Sequence, residues 1–241
     1  MRSWPFFRLS ITTPRLELRY PSLEDLDELA ERAAEGVHEA GVMPFLFPWS
    51  EAAPAERAHS TIQYHFRQWG ELSPAKWSLD FVVVFEGRIV GTQALAGRDF
   101  TLLREVSSGS WLGRRFQGMG IGTEMRGAVL HLAFAGLGAE YATTEAFEDN
   151  HSSIAVTRKF GYHDDGITLH RRQGRPVVTR NFRLPRAGLD PGGGDRDPPP
   201  GPVSPAARPV AVNPPPPAAG RAPGTCPRPG SPPSASSRAP S

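Results

Sequence analysis

Cysteine is almost missing from this 241-residue chain: Cys226 stands alone, close to the C-terminal end. One cysteine allows no disulfide framework and no cysteine-based metal site, and its place leaves the rest of the chain without a catalytic thiol. Lysine is nearly as rare, with Lys76 and Lys159 against 25 arginines, a coding bias rather than a phosphate-binding design. Long apolar runs are missing too. No segment approaches the ~20 residues of a bilayer span. Met1-Arg2-Ser3-Trp4-Pro5-Phe6-Phe7 is too short and too proline-broken for a signal peptide. The expectation is a cytoplasmic protein without a membrane partner. Charge of one sign is also lacking. The formal net charge is +2, and residues 187–241, with five arginines and three aspartates, account for all of it. The remainder balances 22 basic against 22 acidic residues, so the clustered basic face that nucleic acid requires is not expected. The histidines have no metal-ligand spacing, and no metal is expected.

Proline is abundant and unevenly placed. Residues 187–241 hold 17 of the 26 prolines, including Pro198-Pro199-Pro200 and Pro214-Pro215-Pro216-Pro217, and no aromatic residue. Such a segment buries too little apolar surface to offset the entropy of ordering it. It predicts a disordered tail with local polyproline character. Residues 1–186 are one domain's worth of chain, ample for a single core.

Within that body, Arg15-Leu-Glu-Leu-Arg-Tyr20 alternates strictly and predicts a half-buried strand. Ser22 follows as an N-cap, with Asp25 placed for a near capping box, ahead of a helix carried by Leu23, Leu26, Leu29, Ala30 and Ala33. A proline- and aromatic-rich loop over 42–49 separates it from a second amphipathic helix over 54–69. Strands are predicted over 77–85 and 88–95, joined at Glu86-Gly87, and then over 103–112. Helical spacing returns at Ile121, Met125, Ala128, Val129 and Leu132. A strand over 140–147, a short helix over 150–160 and strands over 167–172 and 176–184 complete the series. This order predicts an α/β (α+β) fold, a mixed and mostly antiparallel sheet with helices on both faces.

The densest signal is Ser110-Trp-Leu-Gly-Arg-Arg-Phe-Gln-Gly-Met-Gly-Ile-Gly-Thr-Glu124, a glycine-rich turn between a predicted strand and a predicted helix. Gly118, Gly120 and Gly122 let backbone N–H groups point into one concavity that no Cβ blocks, at the positive end of the helix. That makes an anion site suited to pyrophosphate, and Arg114 or Arg115 adds charge at its rim. The alternative is a turn that binds nothing. A P-loop would need lysine after the last glycine, and a Rossmann fingerprint would need glycine where Thr123 stands.

Arg115-x-x-Gly118-x-Gly120, followed by Ile121-Gly122-Thr123, resembles the acetyl-CoA pyrophosphate loop of the GNAT acetyltransferases. Asn150-His-Ser-Ser153, leading into Lys159-Phe160-Gly161-Tyr162, resembles the Asn-x-x-Ser…Lys-Leu-Gly-Phe/Tyr signature of the RimJ/RimL-like branch, the ribosomal-protein alanine acetyltransferases. Thr13-Pro-Arg-Leu-Glu-Leu-Arg19 is similar to that branch's first strand. The resemblance runs over about residues 11–184. It implies the GNAT fold, with a V-shaped opening between two central strands, acetyl-CoA as co-substrate, and direct attack of an amine on the thioester. It also implies site roles. The backbone of Trp111, Leu112 and Gly113 would hold the pantetheine arm, and Asn150 would bond it. Gly118, Met119, Gly120, Ile121, Gly122 and Thr123, with Arg115 and Gln117, would bind the pyrophosphate.

Ser153 is the candidate acid for the departing thiolate, since the position where many members carry a tyrosine is Thr157 here. Glu105 and Glu145 are candidate bases acting through water. Each has a plainer alternative: an N-cap for Asn150, a small packing residue for Ser153, ion-paired surface carboxylates for the glutamates. By the same resemblance, Met43-Pro-Phe-Leu-Phe-Pro-Trp49-Ser-Glu51 lines the acceptor side. Its aromatics suit an apolar amine or a peptide N-terminus, or serve packing alone. The expected acceptor is a protein N-terminus or a small-molecule amine, taken by a monomer or homodimer. A non-catalytic acyl-CoA-binding or sensory module of the same fold is the competing expectation.

Overall fold

Residues 3–189 are described by the structure, a computed structural model. Beyond Leu189 the expected disordered tail lies outside the described residues. The last element, a 3-10 turn over Arg186–Leu189, straddles the expected boundary at 186. Eight strands form one sheet: β1 (Ser10–Thr12), β2 (Leu16–Arg19), β3 (Lys76–Phe85), β4 (Arg88–Arg98), β5 (Glu105–Leu112), β6 (Tyr141–Phe147), β7 (His163–Arg172) and β8 (Arg175–Pro185). Their spatial order is β1-β2-β3-β4-β5-β6-β8-β7. Every pairing is antiparallel except β5 with β6. The helices are α1 (Leu23–Glu35), α2 (Pro54–Glu71), the single turn α3 (Phe100–Leu103), α4 (Ile121–His131), which continues as a π-helical turn over Leu132–Gly136, and α5 (His151–Lys159).

Local chemistry explains most of these boundaries. Ser22 Oγ accepts from Asp25 N at 3.1 Å while the Asp25 carboxylate accepts from Ser22 N at 3.0 Å, a complete capping box at the head of α1. Glu86 and Gly87 both take positive φ, 50° and 74°, which the tight β3–β4 hairpin requires. Two elements escaped the sequence reading. β1 is only three residues long, too short for alternation to register, and α3 takes Leu103 from the expected start of β5.

The two faces of the sheet carry separate cores. Ile121, Met125, Ala128 and Val129 of α4 cover Phe81, Leu95, Val106, Ala142 and Phe182 on one face. Leu26 and Leu29 of α1, with Ile62 and Trp69 of α2, cover Val82, Val84 and Ile89 on the other. Among the described residues no helix is long and apolar enough to cross a membrane, and no group of three or more metal-ligating side chains is assembled.

His65 of α2 is 1% exposed, and its Nδ1 has no hydrogen-bond partner among the described residues. Burial alone pushes its pKa down to about 4. The imidazole is therefore neutral in the fold, while the unfolded chain takes up a proton near pH 6.5. Stability then falls with acidification, by about 2 kcal/mol between pH 8 and pH 5. Urea midpoints across that range should show the loss in the wild type and a flat profile in His65→Gln; parallel profiles would mean that His65 titrates normally.

Candidate active site

The parallel pairing of β5 with β6 covers only Glu105↔Tyr141, Val106↔Ala142 and Ser107↔Thr143. Beyond it, Thr144 Oγ1 donates to Ser108 O at 3.0 Å, and the strands then part. β5 stays paired to β4 as far as Gly91↔Leu112. Its backbone groups alternate between the two neighbours. Gly113 N donates to Val90 O at 2.8 Å, so Gly113 and Trp111 face β4. The carbonyls of Val106, Ser108 and Leu112 face the β6 side, where they meet Thr143 Oγ1, Thr144 Oγ1 and Gln117 Nε2. The open edge of the slot therefore belongs to Ser110 and Leu112. This corrects the expected set: the backbone of Trp111 and Gly113 is spent on β4. The correction follows from strand periodicity, which a sequence motif does not phase.

The slot opens toward the glycine loop. Gly118 and Gly120 take φ of 75° and 79°, and Gly120 is the N-cap of α4. A Cβ at Gly118 would meet nothing within 4 Å, so the concavity is open there. The N–H groups of Gly118, Met119, Gly120, Ile121 and Gly122 have no hydrogen-bond partner among the described residues, whereas Thr123 N donates to Gly120 O at 3.1 Å. Five free donors at a helix N-terminus fit a pyrophosphate. Thr123 contributes no free backbone donor.

The loop is held from two sides. On one, the end of α1 grips its approach. Gln117 Nε2 bridges Val37 O (2.8 Å) and Leu112 O (2.9 Å), and Arg115 pairs with Glu35 at 3.3 Å while lying over the Phe116 ring. Both side chains thus build the loop rather than face its concavity. Arg32 packs beneath Gly113, where a Cβ would stand 2.8 Å from Arg32 Cδ. On the other side, Glu124 of α4 accepts from Thr13 Oγ1 (2.6 Å), Arg15 N (3.0 Å) and Arg15 Nε (2.7 Å). Arg15 Nη1 then donates to Met119 O at 3.2 Å, which places a cation over the loop. Burial pushes the Glu124 carboxyl up, but Thr13 and Arg15 outweigh it and hold the group below its ordinary value. No sequence motif gives Arg15 or Glu124 a role, because the two meet across 109 positions.

Asn150 is the N-cap of α5, its Oδ1 accepting from Ser153 N at 3.1 Å, which leaves the amide Nδ2 as a donor. Ser153 is half-buried. Thr157 is fully buried and bonds back to Ser153 O at 2.9 Å, so its hydroxyl is spoken for. The two candidate bases part company. Glu105 lies at the paired end of β5, ion-paired with Arg183, far from the open edge. Glu145 lies past the point of divergence on β6, exposed and without an ion-pair partner among the described residues. Alternation sends Glu145 and Phe147 to the same face as Trp111.

That face carries the aromatic residues expected on the acceptor side. Trp49 packs on Trp111 with centroids 5.8 Å apart, and Phe45 packs on Trp49 at 5.1 Å. Opposite them, Arg172 at the end of β7 lies 4.2 Å above the Phe147 ring, pairs with Asp149 at 2.6 Å and donates to Met43 O. Gln173 Nε2 reaches Glu51 at 2.7 Å. The β7–β8 turn is thereby tied to the loop between α1 and α2.

A sheet parted at its one parallel junction, with an anion cradle at the mouth, defines an acyltransferase architecture, and comparison with known proteins agrees. The family model for the acetyltransferase (GNAT) domain matches residues 15–163. The chain belongs to the GNAT acetyltransferase family, and its activity is N-acetyl transfer. Solved structures with the same fold include a GCN5-related N-acetyltransferase from Brucella melitensis (21% identity, TM-score 0.60, covering 78% of this chain and 85% of that one). RimJ of Mycobacterium smegmatis in complex with CoA-disulfide is similar at 17% identity, with a TM-score of 0.60, over 75% of this chain and 88% of that one. RimL, a ribosomal L7/L12 alpha-N-protein acetyltransferase in complex with coenzyme A, is similar at 16% identity, with a TM-score of 0.57, over 76% of this chain and all of that one.

Proposed function

We propose that this protein takes its acetyl group from acetyl-CoA and passes it to a primary amine, on a protein N-terminus or a small molecule, by direct attack without a covalent enzyme intermediate. The observation that carries the reading is the run of five unpartnered N–H groups, from Gly118 to Gly122, at the head of α4. They would hold the pyrophosphate, with Arg15 adding charge above them. Ser110 and the N–H of Leu112 offer the free strand edge along which the pantetheine amides would pair, and Asn150 Nδ2 would donate from the other side of the slot. The bound co-substrate supplies the thioester. Glu145 takes the amine's proton through water from the acceptor face, where Trp49 and Trp111 exclude bulk solvent. The catalytic unit is residues 1–186, and the remainder takes no part in the chemistry.

Calorimetric titration of the protein with acetyl-CoA, beside Gly120→Trp, tests this. At Gly120 a Cβ would need φ of 79° and would stand 3.3 Å from Arg15 Nη2. Affinity should drop about 100-fold in the variant, near 2.7 kcal/mol. A wild type that binds no acetyl-CoA would reduce the glycine loop to a turn and remove the reading.

A further inference from the structure

The sheet has two edges, β1 and β7. β1 is three residues long and offers little to an intruding strand. β7 runs for ten residues, and no strand pairs with its outer side among the described residues. An edge of that length is ordinarily blunted by charge at its centre. Here the centre is apolar: Ile167 is 63% exposed and Leu169 71%. The two flank Thr168 and share one face of the strand. They stand opposite Arg180 and Val178, which alternation places on the same face as the core residue Phe182.

The charges of β7 lie at its ends, sorted by sign. Asp164-Asp-Gly-Ile-Thr-Leu-His-Arg-Arg172 has two acids before the apolar centre and two bases after it, so the strand is complementary to itself when reversed. Antiparallel pairing with β7 of a second copy about Thr168 sets Ile167 against Leu169 on both sides of the axis. The bulge between Asp164 and Ile167 then decides what comes next. Against β8 it makes Asp165 and Gly166 together oppose one residue, so Asp164 keeps the face of Ile167. By the same count Asp164 meets Arg171 of the second copy, on the face of the apolar pairs. Asp164 already takes Arg180 at 2.7 Å and Arg158 at 3.2 Å, yet its side chain is 48% exposed. Arg171 is exposed and has no ion-pair partner among the described residues. Moving the axis one residue either way sets Ile167 against Arg171 or Leu169 against Asp164. Only the axis at Thr168 matches apolar with apolar and acid with base.

We propose that β7 is the contact surface for a second copy of this chain, the two sheets joining edge to edge about a two-fold axis at Thr168. The interface is isologous: each copy supplies both members of the Ile167–Leu169 pair and both members of the Asp164–Arg171 pair. The inference does not rest on the acetyl-CoA reading. It bears on the site all the same, because Arg172 and Gln173 follow directly on the paired stretch. Those two side chains tie the β7–β8 turn to the loop between α1 and α2, and the second copy would hold their strand from its outer side.

The test uses the full chain. Sedimentation equilibrium from dilute to concentrated solution should show a monomer–dimer equilibrium. Leu169→Lys puts a charge at the centre of the edge and should stay monomeric throughout. Arg171→Asp sets like charges against Asp164 at both ends of the interface and should raise the dissociation constant roughly tenfold or more. Both side chains are exposed, so thermal midpoints in dilute solution should stay within about 2 °C of wild type and report an intact fold. Hydrogen exchange needs no variant: in the wild type the amides of β7 should slow as concentration rises. A wild type that stays monomeric, or a dimer that Leu169→Lys leaves intact, would overturn the proposal. Exchange in β7 that ignores concentration would overturn it too, and would leave the edge to a strand of another protein.

Discussion

Gly91→Ala should lower the thermal midpoint by roughly 6–12 °C, the shift that about 3 kcal/mol produces in a domain of this size, and should abolish acetyl-CoA binding. Gly91 lies opposite Leu112 in the β4–β5 ladder, directly after the bulge that leaves Val90 unpaired with β3. A Cβ there would overlap the Trp111 carbonyl oxygen and stand 2.8 Å from Leu112 Cα. Both obstacles are backbone, so no rotamer relieves them. β5 would have to move, and its far edge is the one that offers Ser110 and Leu112 to the slot. Gly109→Ala is the control, since a Cβ at Gly109 meets nothing within 4 Å; its midpoint should stay within about 2 °C of wild type. Equal melting of the two variants would refute the close approach of β4 to β5.

Glu124→Gln should cost roughly 2 kcal/mol at pH 7, less than a fully buried pair because the Arg15 side chain is 44% exposed. The substitution removes the charge that three donors share and frees Arg15 from its place over Met119. Weaker acetyl-CoA binding should accompany the loss of stability. The pH dependence has a definite sign. A carboxyl held below its ordinary value stabilises the fold above the unfolded pKa near 4.3 and loses that contribution as pH falls through the folded value. Urea melts at pH 7 and in the acid range should therefore show wild type and variant converging as the medium acidifies. A constant gap would place the effect in packing rather than charge.

The legible parts of this protein were local. The capping box at Ser22, the Glu86-Gly87 turn and the glycine run before α4 each announce themselves within a few residues, because backbone geometry at those points admits few side chains. What stayed hidden depends on contacts between distant segments. Glu124 meets Thr13 across 111 positions, and Gln117 meets Val37 across 80. No local pattern marks the three residues of β1. Glu105 was placed on the right strand, but which end of β5 faces the slot is set by where the parallel ladder stops. The phase that gives the open edge to Ser110 and Leu112 is set in the same way.

The cross-tie at Arg172 has a consequence for admission. Trp111 touches Trp49, the loop bearing Trp49 is pinned at Met43 and Glu51 to the β7–β8 turn, and Arg172 returns the circuit to Phe147 on β6. β6 closes it by rejoining β5 at Ser107↔Thr143. The rim of the slot on the Trp111 face is thus a ring and not a trough. A trough lets a polymer lie across it and present any residue along its length. If the acceptor enters on this face, as proposed, the ring has to be threaded, and it would take the tip of a chain or a small molecule rather than the middle of one.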